Sequence, residues 1–347
     1  MYPALAVHSA LTSKVLDVDT LWVGGEGGME EALVKRQGIA YQSIPAAGLH
    51  GVGLATLPRN IVKLTRGVFA ARKILNDFQP DVLFFTGGFV AAPMAVAGRS
   101  IPSLLYVPDI EPGMALKSLA GFSDAIAVTT GQSQKFFKKK VIETGYPLRS
   151  DLAVWDRETA HRHLDISGKL PILLVFGGSK GARSINMAVL NNLRPLLEKF
   201  EIIHITGELD WTYVRHHREQ LPVHLAFRYH TMPYLHEMGA ALAAADLVLS
   251  RAGASTLGEF PLFALPAILV PYPHAWRYQK VNADHLTNRG AAIILEDQVL
   301  SNELMNTLNV LMENPNKLQA MRAAMFEMSH PRAADKIASI LIGLAGE

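Results

Sequence analysis

The stretch VFGGSKGARSIN (175–186) holds the residue types best suited to anion chemistry. An apolar run ends at Gly177 and Gly178, the chain turns through Ser179, Lys180 and Gly181, and a helical pattern begins at Ala182-Arg183. Glycine lets backbone approach an anion closely. The free N–H groups and dipole of a helix start favour a phosphate. The spacing is neither that of a P-loop nor that of a dinucleotide-binding turn. By this physics alone a structural turn and a phosphate cradle both stand. A second stretch, SRAGASTLGE (250–259), places Arg251, Gly253, Ala254, Ser255 and Thr256 between a strand and a helix. Its small residues leave room for a ligand, and its backbone offers N–H donors. Glu259 could accept two hydroxyls, as from a ribose, or simply be a favourable early-turn carboxylate. A third, FFTGGFVAAP (84–93), repeats the strand and glycine pair with Gly87 and Gly88. A fourth, HAWRYQKVNADHL (274–286), comes just after a strand and carries Gln279 and Asn282; it suits sugar recognition or an ordinary connection.

These stretches need strands that end in loops. Short, wholly apolar runs supply them: LWVG (21–24), DVLFFT (81–86), SLLYV (103–107), DAIAVT (124–129), PILLVFG (171–177), EIIHITG (201–207), DLVLS (246–250) and AILVPY (267–272). Apolar runs without alternation indicate parallel strands covered on both faces. Helical patterns lie between most of them, so the expected class is α/β and doubly wound. The pattern occurs twice. It predicts two Rossmann-like domains facing a cleft: residues 1–148, joined by a C-terminal helix at 331–347, and residues 149–330.

Composition narrows the function. At 347 residues with 49% hydrophobic content, the chain can fill two cores. A net charge of +2 is too small to suggest nucleic acid. The absence of cysteine excludes disulfides and thiolate metal sites. MYPALAVHSALTSK lacks the basic start and long apolar run of a secretory signal. The apolar stretch 82–98 is interrupted by Gly87, Gly88 and Pro93, and falls short of the ~20 residues of a spanning helix. DVD (17–19), HHRE (216–219), His161 and His163 are not expected to bind metal.

Together, TGGFVAAP (86–93), GYPLRSD (145–151), GGSKGARSIN (177–186), YLHEM with AAADLVLSRAGASTLGE (234–259) and RYQKVN (277–282) resemble the MurG-like N-acetylglucosaminyltransferases of peptidoglycan synthesis, glycosyltransferase family 28. The resemblance runs over nearly the whole chain. It implies a GT-B fold and metal-free inverting chemistry with no cofactor. It also implies a UDP-sugar donor in the C-terminal half and a polyprenyl-diphosphate lipid acceptor in the N-terminal half. The donor diphosphate would meet Ser179 and the Gly177–Gly181 turn, and Leu235 would hold the uracil through its backbone. Ala254, Ser255 and Thr256 would meet the nucleotide, and Glu259 the ribose. Arg149 would contact the nucleotide, and Gln279 and Asn282 would read the sugar. The same resemblance implies a place on the cytoplasmic face of the cell membrane. Segment 48–75 fits that place, being apolar at Leu57, Ile61, Leu64 and Phe69 and basic at Arg59, Lys63, Arg66, Arg72 and Lys73. Its alternative is a core-packed helix.

Three departures bear on mechanism. The family's first strand and G-G-T-G-G-H loop have no counterpart, because YPALAV (2–7) matches the family's segment on the C-terminal side of that loop. The first helix is therefore expected to lack support where that strand would lie. YVPD (106–109) replaces the family's H-E-Q-N, leaving Asp109, with Glu111, as the tentative base or as a helix-capping pair. Tyr278 replaces the first glutamine of a Q-Q pair that reads the sugar. Alternatives are a related transferase with another sugar or acceptor, a nucleotide-sugar epimerase, and a non-catalytic UDP-sugar binder.

Overall fold

The computed structural model describes residues 1–28, 30–48, 57–274 and 278–346. In chain order the strands are β1 (Leu21–Gly25), β2 (Ala40–Ile44), β3 (Leu83–Phe85), β4 (Ser103–Val107), β5 (Ala125–Val128), β6 (Ile142–Glu143), β7 (Ile172–Phe176), β8 (Glu201–Ile205), β9 (Tyr229–Met232), β10 (Leu247–Ser250), β11 (Ala267–Leu269) and β12 (Ala292–Ile294). Two compact units hold them: Met1–Arg149 with Arg332–Glu347, and Ser150–Pro331.

The second unit carries one parallel sheet in the order β12-β11-β10-β7-β8-β9. The order reverses between β7 and β10, which pair directly from Leu247 opposite Leu173 to Ser250 opposite Phe176. At such a switch point the two connections leave toward opposite faces of the sheet and open a crevice at the strands' carboxyl ends. Leu173, Val175, Leu247 and Leu249 are buried in the main core of this unit, which is why these strands read as unbroken apolar runs.

The first unit holds two parallel ladders, β3-β4-β5-β6 and β1-β2. Ile44 of β2 is buried with Ala71, Ile74 and Leu75 of helix Leu57–Phe78, and Leu21 and Val23 of β1 pack against them. The first helix, Tyr2–Lys14, opens with Pro3 in its first turn, where a missing N–H costs nothing. Of its residues Pro3, Ala6 and Val7 are buried, and Val7 packs with Leu104 and Tyr106 of β4, Ala127 of β5, and Ile337 and Leu341 of helix Ala333–Ala345. The C-terminal helix returns to the first unit and supplies this backing.

Four strands, β2, β6, β9 and β12, escape the sequence reading. Each stands at the edge of its ladder. An edge strand covered on one side tolerates polar residues, as in AYQSI and YHTM. The long basic helix is split in role. Ala71, Ile74 and Leu75 face the core, whereas Ile61 and Phe69 are 49% and 64% exposed. Residues 49–56 of that segment lie outside the described residues.

Candidate active site

In the second unit, β7 runs into Gly177 and the turn 178–181. Gly178 and Gly181 have φ of 97° and 77°, and the Gly181 N–H closes the turn on the Gly178 carbonyl at 2.9 Å. Space demands glycine as well as torsion: a Cβ on Gly181 would stand 2.1 Å from the Thr206 carbonyl oxygen. The turn is therefore pressed against the loop after β8. Ser179 and Lys180 are exposed at its tip. Helix Arg183–Asn191 comes next, with Ala182 at its N-cap. Alanine has no side-chain acceptor for the first N–H groups of the helix, so those donors are left for solvent or an anion.

Beside it, β10 delivers the loop 251–255. Ser250 Oγ donates to the Arg251 carbonyl at 2.7 Å, and Thr256 Oγ1 to the Gly253 carbonyl at 2.7 Å. A Cβ on Gly253 would meet nothing within 4 Å, so the loop is open there. Ala254 and Ser255 are half-buried, and Ser255 Oγ donates to Glu259 at 3.1 Å in helix Thr256–Leu262. Leu235, half-buried, lies after β9 between the exposed Tyr234 and His236.

Two residues expected to contact ligand have buried side chains that bond to protein. Arg251 is 9% exposed and pairs with Asp297 at 2.6 Å. Asn282 is fully buried and donates to the Ala252 carbonyl at 3.2 Å. Both support the 251–255 loop. Gln279 accepts from the Tyr272 N–H at 2.8 Å, bracing the chain after β11. Arg277, of the same motif, lies outside the described residues.

A buried polar chain backs the glycine turn, and the sequence reading missed most of it. Asn186 donates to the Thr206 carbonyl at 2.9 Å and to Asp210 at 2.8 Å. Arg183 pairs with the other Asp210 oxygen at 2.7 Å. The Asn186 carbonyl oxygen faces His204 Nε2 at 3.0 Å, and His204 Nδ1 faces the Tyr229 hydroxyl at 2.8 Å. Burial depresses His204 to about 3, so it is neutral. Asn186 Oδ1 can only accept, so the proton sits on Nε2 and Tyr229 donates to Nδ1. The available signal was a histidine inside the apolar strand EIIHI.

In the first unit, Gly87 and Gly88 come after β3 with φ of 106° and 88°. Asp109 and Glu111 come after β4; Asp109 is half-buried and Glu111 is 7% exposed. Thr129 donates to the Pro108 carbonyl at 2.8 Å and Ser133 to the Ile110 carbonyl at 2.9 Å, fixing the backbone on both sides of Asp109. The next helix, Met114–Leu119, starts after Gly113 at its N-cap, which has no side chain to cap it. Arg149 stacks on the Tyr2 ring at 4.9 Å.

The N-terminal domain model of glycosyltransferase family 28 matches residues 1–128, and the C-terminal domain model matches residues 172–337. The chain belongs to glycosyltransferase family 28. Family relatives from Roseiflexus sp. and Desulforudis audaxviator are each named UDP-N-acetylglucosamine--N-acetylmuramyl-(pentapeptide) pyrophosphoryl-undecaprenol N-acetylglucosamine transferase. They are 36% and 35% identical, over 98% and 100% of this chain and 91% and 96% of their own lengths. The crystal structure of Acinetobacter baumannii MurG matches with a TM-score of 0.76 at 24% identity, over 99% of this chain and 95% of that one. The two Rossmann-like units are thus those of the GT-B fold. No helix among the described residues is long and apolar enough to cross a membrane.

Proposed function

We propose that this family 28 chain transfers N-acetylglucosamine, with inversion, from UDP-N-acetylglucosamine to a polyprenyl-diphosphate-linked N-acetylmuramyl-pentapeptide, the step from lipid I to lipid II. The observation that carries the donor half is the switch point between β7 and β10, where a boxed glycine turn and an open small-residue loop stand side by side. The turn and the uncapped start of helix Arg183–Asn191 receive the diphosphate, where N–H groups and the helix dipole stabilise UDP as it leaves. Ala254, Ser255 and Thr256 line the nucleotide, Glu259 takes the ribose hydroxyls, Leu235 the uracil, and Arg149 adds positive charge. Gln279 belongs to the sugar-reading loop.

The first unit takes the acceptor, with Gly87 and Gly88 near its diphosphate. The acceptor hydroxyl attacks the anomeric carbon, the bond to UDP breaks, and Asp109 removes the hydroxyl proton. Glu111, nearly buried, orients that loop instead of exchanging protons. The exposed Ile61 and Phe69, with Arg59, Arg66, Arg72 and Lys73, seat the chain on an anionic membrane surface at the inner face of the cell membrane.

Incubation with UDP-N-acetylglucosamine and lipid I, with chromatography for lipid II and UDP, tests the assignment. Equal UDP release without acceptor, or no lipid II at saturating donor, removes it. Tyr278 favours a second reading, a related transferase using another sugar, and a panel of UDP-sugars in the same assay decides between them. Full turnover by Asp109→Asn at saturating donor would exclude Asp109 as base.

A further inference from the structure

We propose that Ser184, Arg251 and Asp297 form a clamp that holds the glycine turn after β7 and the loop after β10 in one register, making them positioning residues that set donor affinity without touching the donor. The proposal rests on the donor-binding role of these two loops. Arg251 Nη1 donates to Asp297 at 2.6 Å and to the Val270 carbonyl at 3.1 Å, and Nη2 donates to Ser184 Oγ at 2.7 Å. Ser184 lies in the first turn of the helix that leaves the glycine turn. Its hydroxyl has one proton, and arginine cannot accept it, so that proton goes to Asp297, at 2.8 Å. The three groups close a triangle in which every hydrogen bond has a defined direction.

The triangle gathers four strand ends. Arg251 leaves β10, Ser184 lies after β7, Val270 after β11 and Asp297 after β12. The Tyr272 ring covers the guanidinium at 5.2 Å from its centroid. A planar guanidinium fork fixes direction as well as distance, which a lysine ammonium does not. At 9% exposure, with both terminal nitrogens bonded to protein acceptors, Arg251 is a brace for the two loops. Shifting either loop breaks at least two charge-assisted bonds in a poorly solvated place, where such bonds are strong. The spacing between the diphosphate turn and the ribose loop is therefore preset before nucleotide arrives.

Full-length Ser184→Ala, Asp297→Asn and Arg251→Lys test the clamp, with UDP binding by titration calorimetry and donor KM, acceptor KM and kcat from the lipid II assay. The expected result is a rise in UDP Kd and donor KM of about tenfold for Arg251→Lys and Asp297→Asn and about threefold for Ser184→Ala. Acceptor KM stays unchanged, Ser184→Thr restores wild-type affinity, and the Ser184→Ala/Asp297→Asn pair loses less than the product of the single losses. Ser184→Ala removes one oxygen and decides the matter if the charge variants fail to fold. Wild-type donor KM and UDP Kd in the folded variants, with effects confined to melting temperature or active fraction, overturn the clamp while leaving the donor site intact. If the wild-type protein binds no UDP, the donor site falls and the clamp's role falls with it.

Discussion

The sheet of the second unit is continuous over six strands, while the first unit divides its strands between a four-stranded and a two-stranded ladder. The difference reaches the glycine turns. In the second unit, β7 and β10 each have strands on both sides, so the turn after β7 issues from fixed backbone and is packed against more backbone. In the first unit, Gly88 has φ of 88°, but a Cβ there would meet nothing within 4 Å. One turn needs glycine for torsion and space, the other for torsion alone. Gly181→Ala therefore carries the largest expected effect. Left-handed strain costs about 1–3 kcal/mol, and the overlap with the Thr206 carbonyl forces the turn apart. UDP binding should be lost with a large fall in melting temperature. Gly88→Ala should cost only about 1–2 kcal/mol, and Gly253→Ala, in open space at ordinary φ, should leave the melting temperature unchanged. Equal losses for Gly181→Ala and Gly253→Ala by calorimetry would erase the contrast.

Buried polar groups extend it. Asn186→Leu removes two donors and one acceptor from a fully enclosed site, leaving Asp210, the Thr206 carbonyl and His204 short of partners. The expected loss is about 3 kcal/mol by denaturant titration. In the first unit the Tyr106 hydroxyl meets Thr129 at 2.7 Å, but Thr129 also donates to the Pro108 carbonyl. Tyr106→Phe leaves that second bond in place, so about 1 kcal/mol is expected. A larger loss for Tyr106→Phe than for Asn186→Leu would reverse the ranking.

Much of this was legible in the sequence, and the exceptions have a common cause. The central strands β4, β7, β8 and β10 read clearly because burial on both faces demands unbroken apolar residues. The edge strands β2, β6 and β9 are released from that demand and were missed, while β12, apolar throughout, is only three residues long. The glycine turn and the 251–255 loop stood out because glycine and small residues mark backbone that bends tightly or leaves room. Polar residues gave less. Arg251 and Asn282 have the chemistry of ligand contacts, yet are buried and bond to protein, because a buried carbonyl and a ligand oxygen ask for the same donor. Asp210 and Asp297 carry no mark in the sequence, since an aspartate in a helix or loop is ordinarily a solvated one. Its partner is fixed only when distant strands come together.

Acid should separate the units next. Burial depresses His204 to about 3; burial, then the neighbouring Arg289, depresses His285 to about 4. Both are in the second unit; in the first, burial depresses the half-buried His8 as well. The unfolded chain takes up protons on these residues below about pH 6.5 while the fold does not. Their contribution to stability is therefore flat above that pH and falls as pH drops, by up to about 1.4 kcal/mol per unit for each group. Glu201 adds a later loss. Burial pushes its carboxyl up, but bonds from Ser167, His230 and Gly168 prevail and hold it below its usual value, and this stabilisation disappears on protonation. Fluorescence of Trp155 and Trp211 during acid titration should report the second unit unfolding before Trp22 reports the first. An NMR midpoint for His204 near 6.5 would contradict the assignment.

The smallest effect belongs to the first unit. Arg149 lies over the Tyr2 ring at 4.9 Å, and Tyr2 is 39% exposed, so water weakens the attraction. Tyr2→Leu should cost about 0.5–1 kcal/mol, a fall of about 1–3 °C in the melting temperature of the first unit. Tyr2→Phe keeps the ring face and should keep the stability, because the attraction comes from the π quadrupole. Identical losses for the two variants would assign the effect to the hydroxyl, and Arg149 would then owe its position to its other contacts.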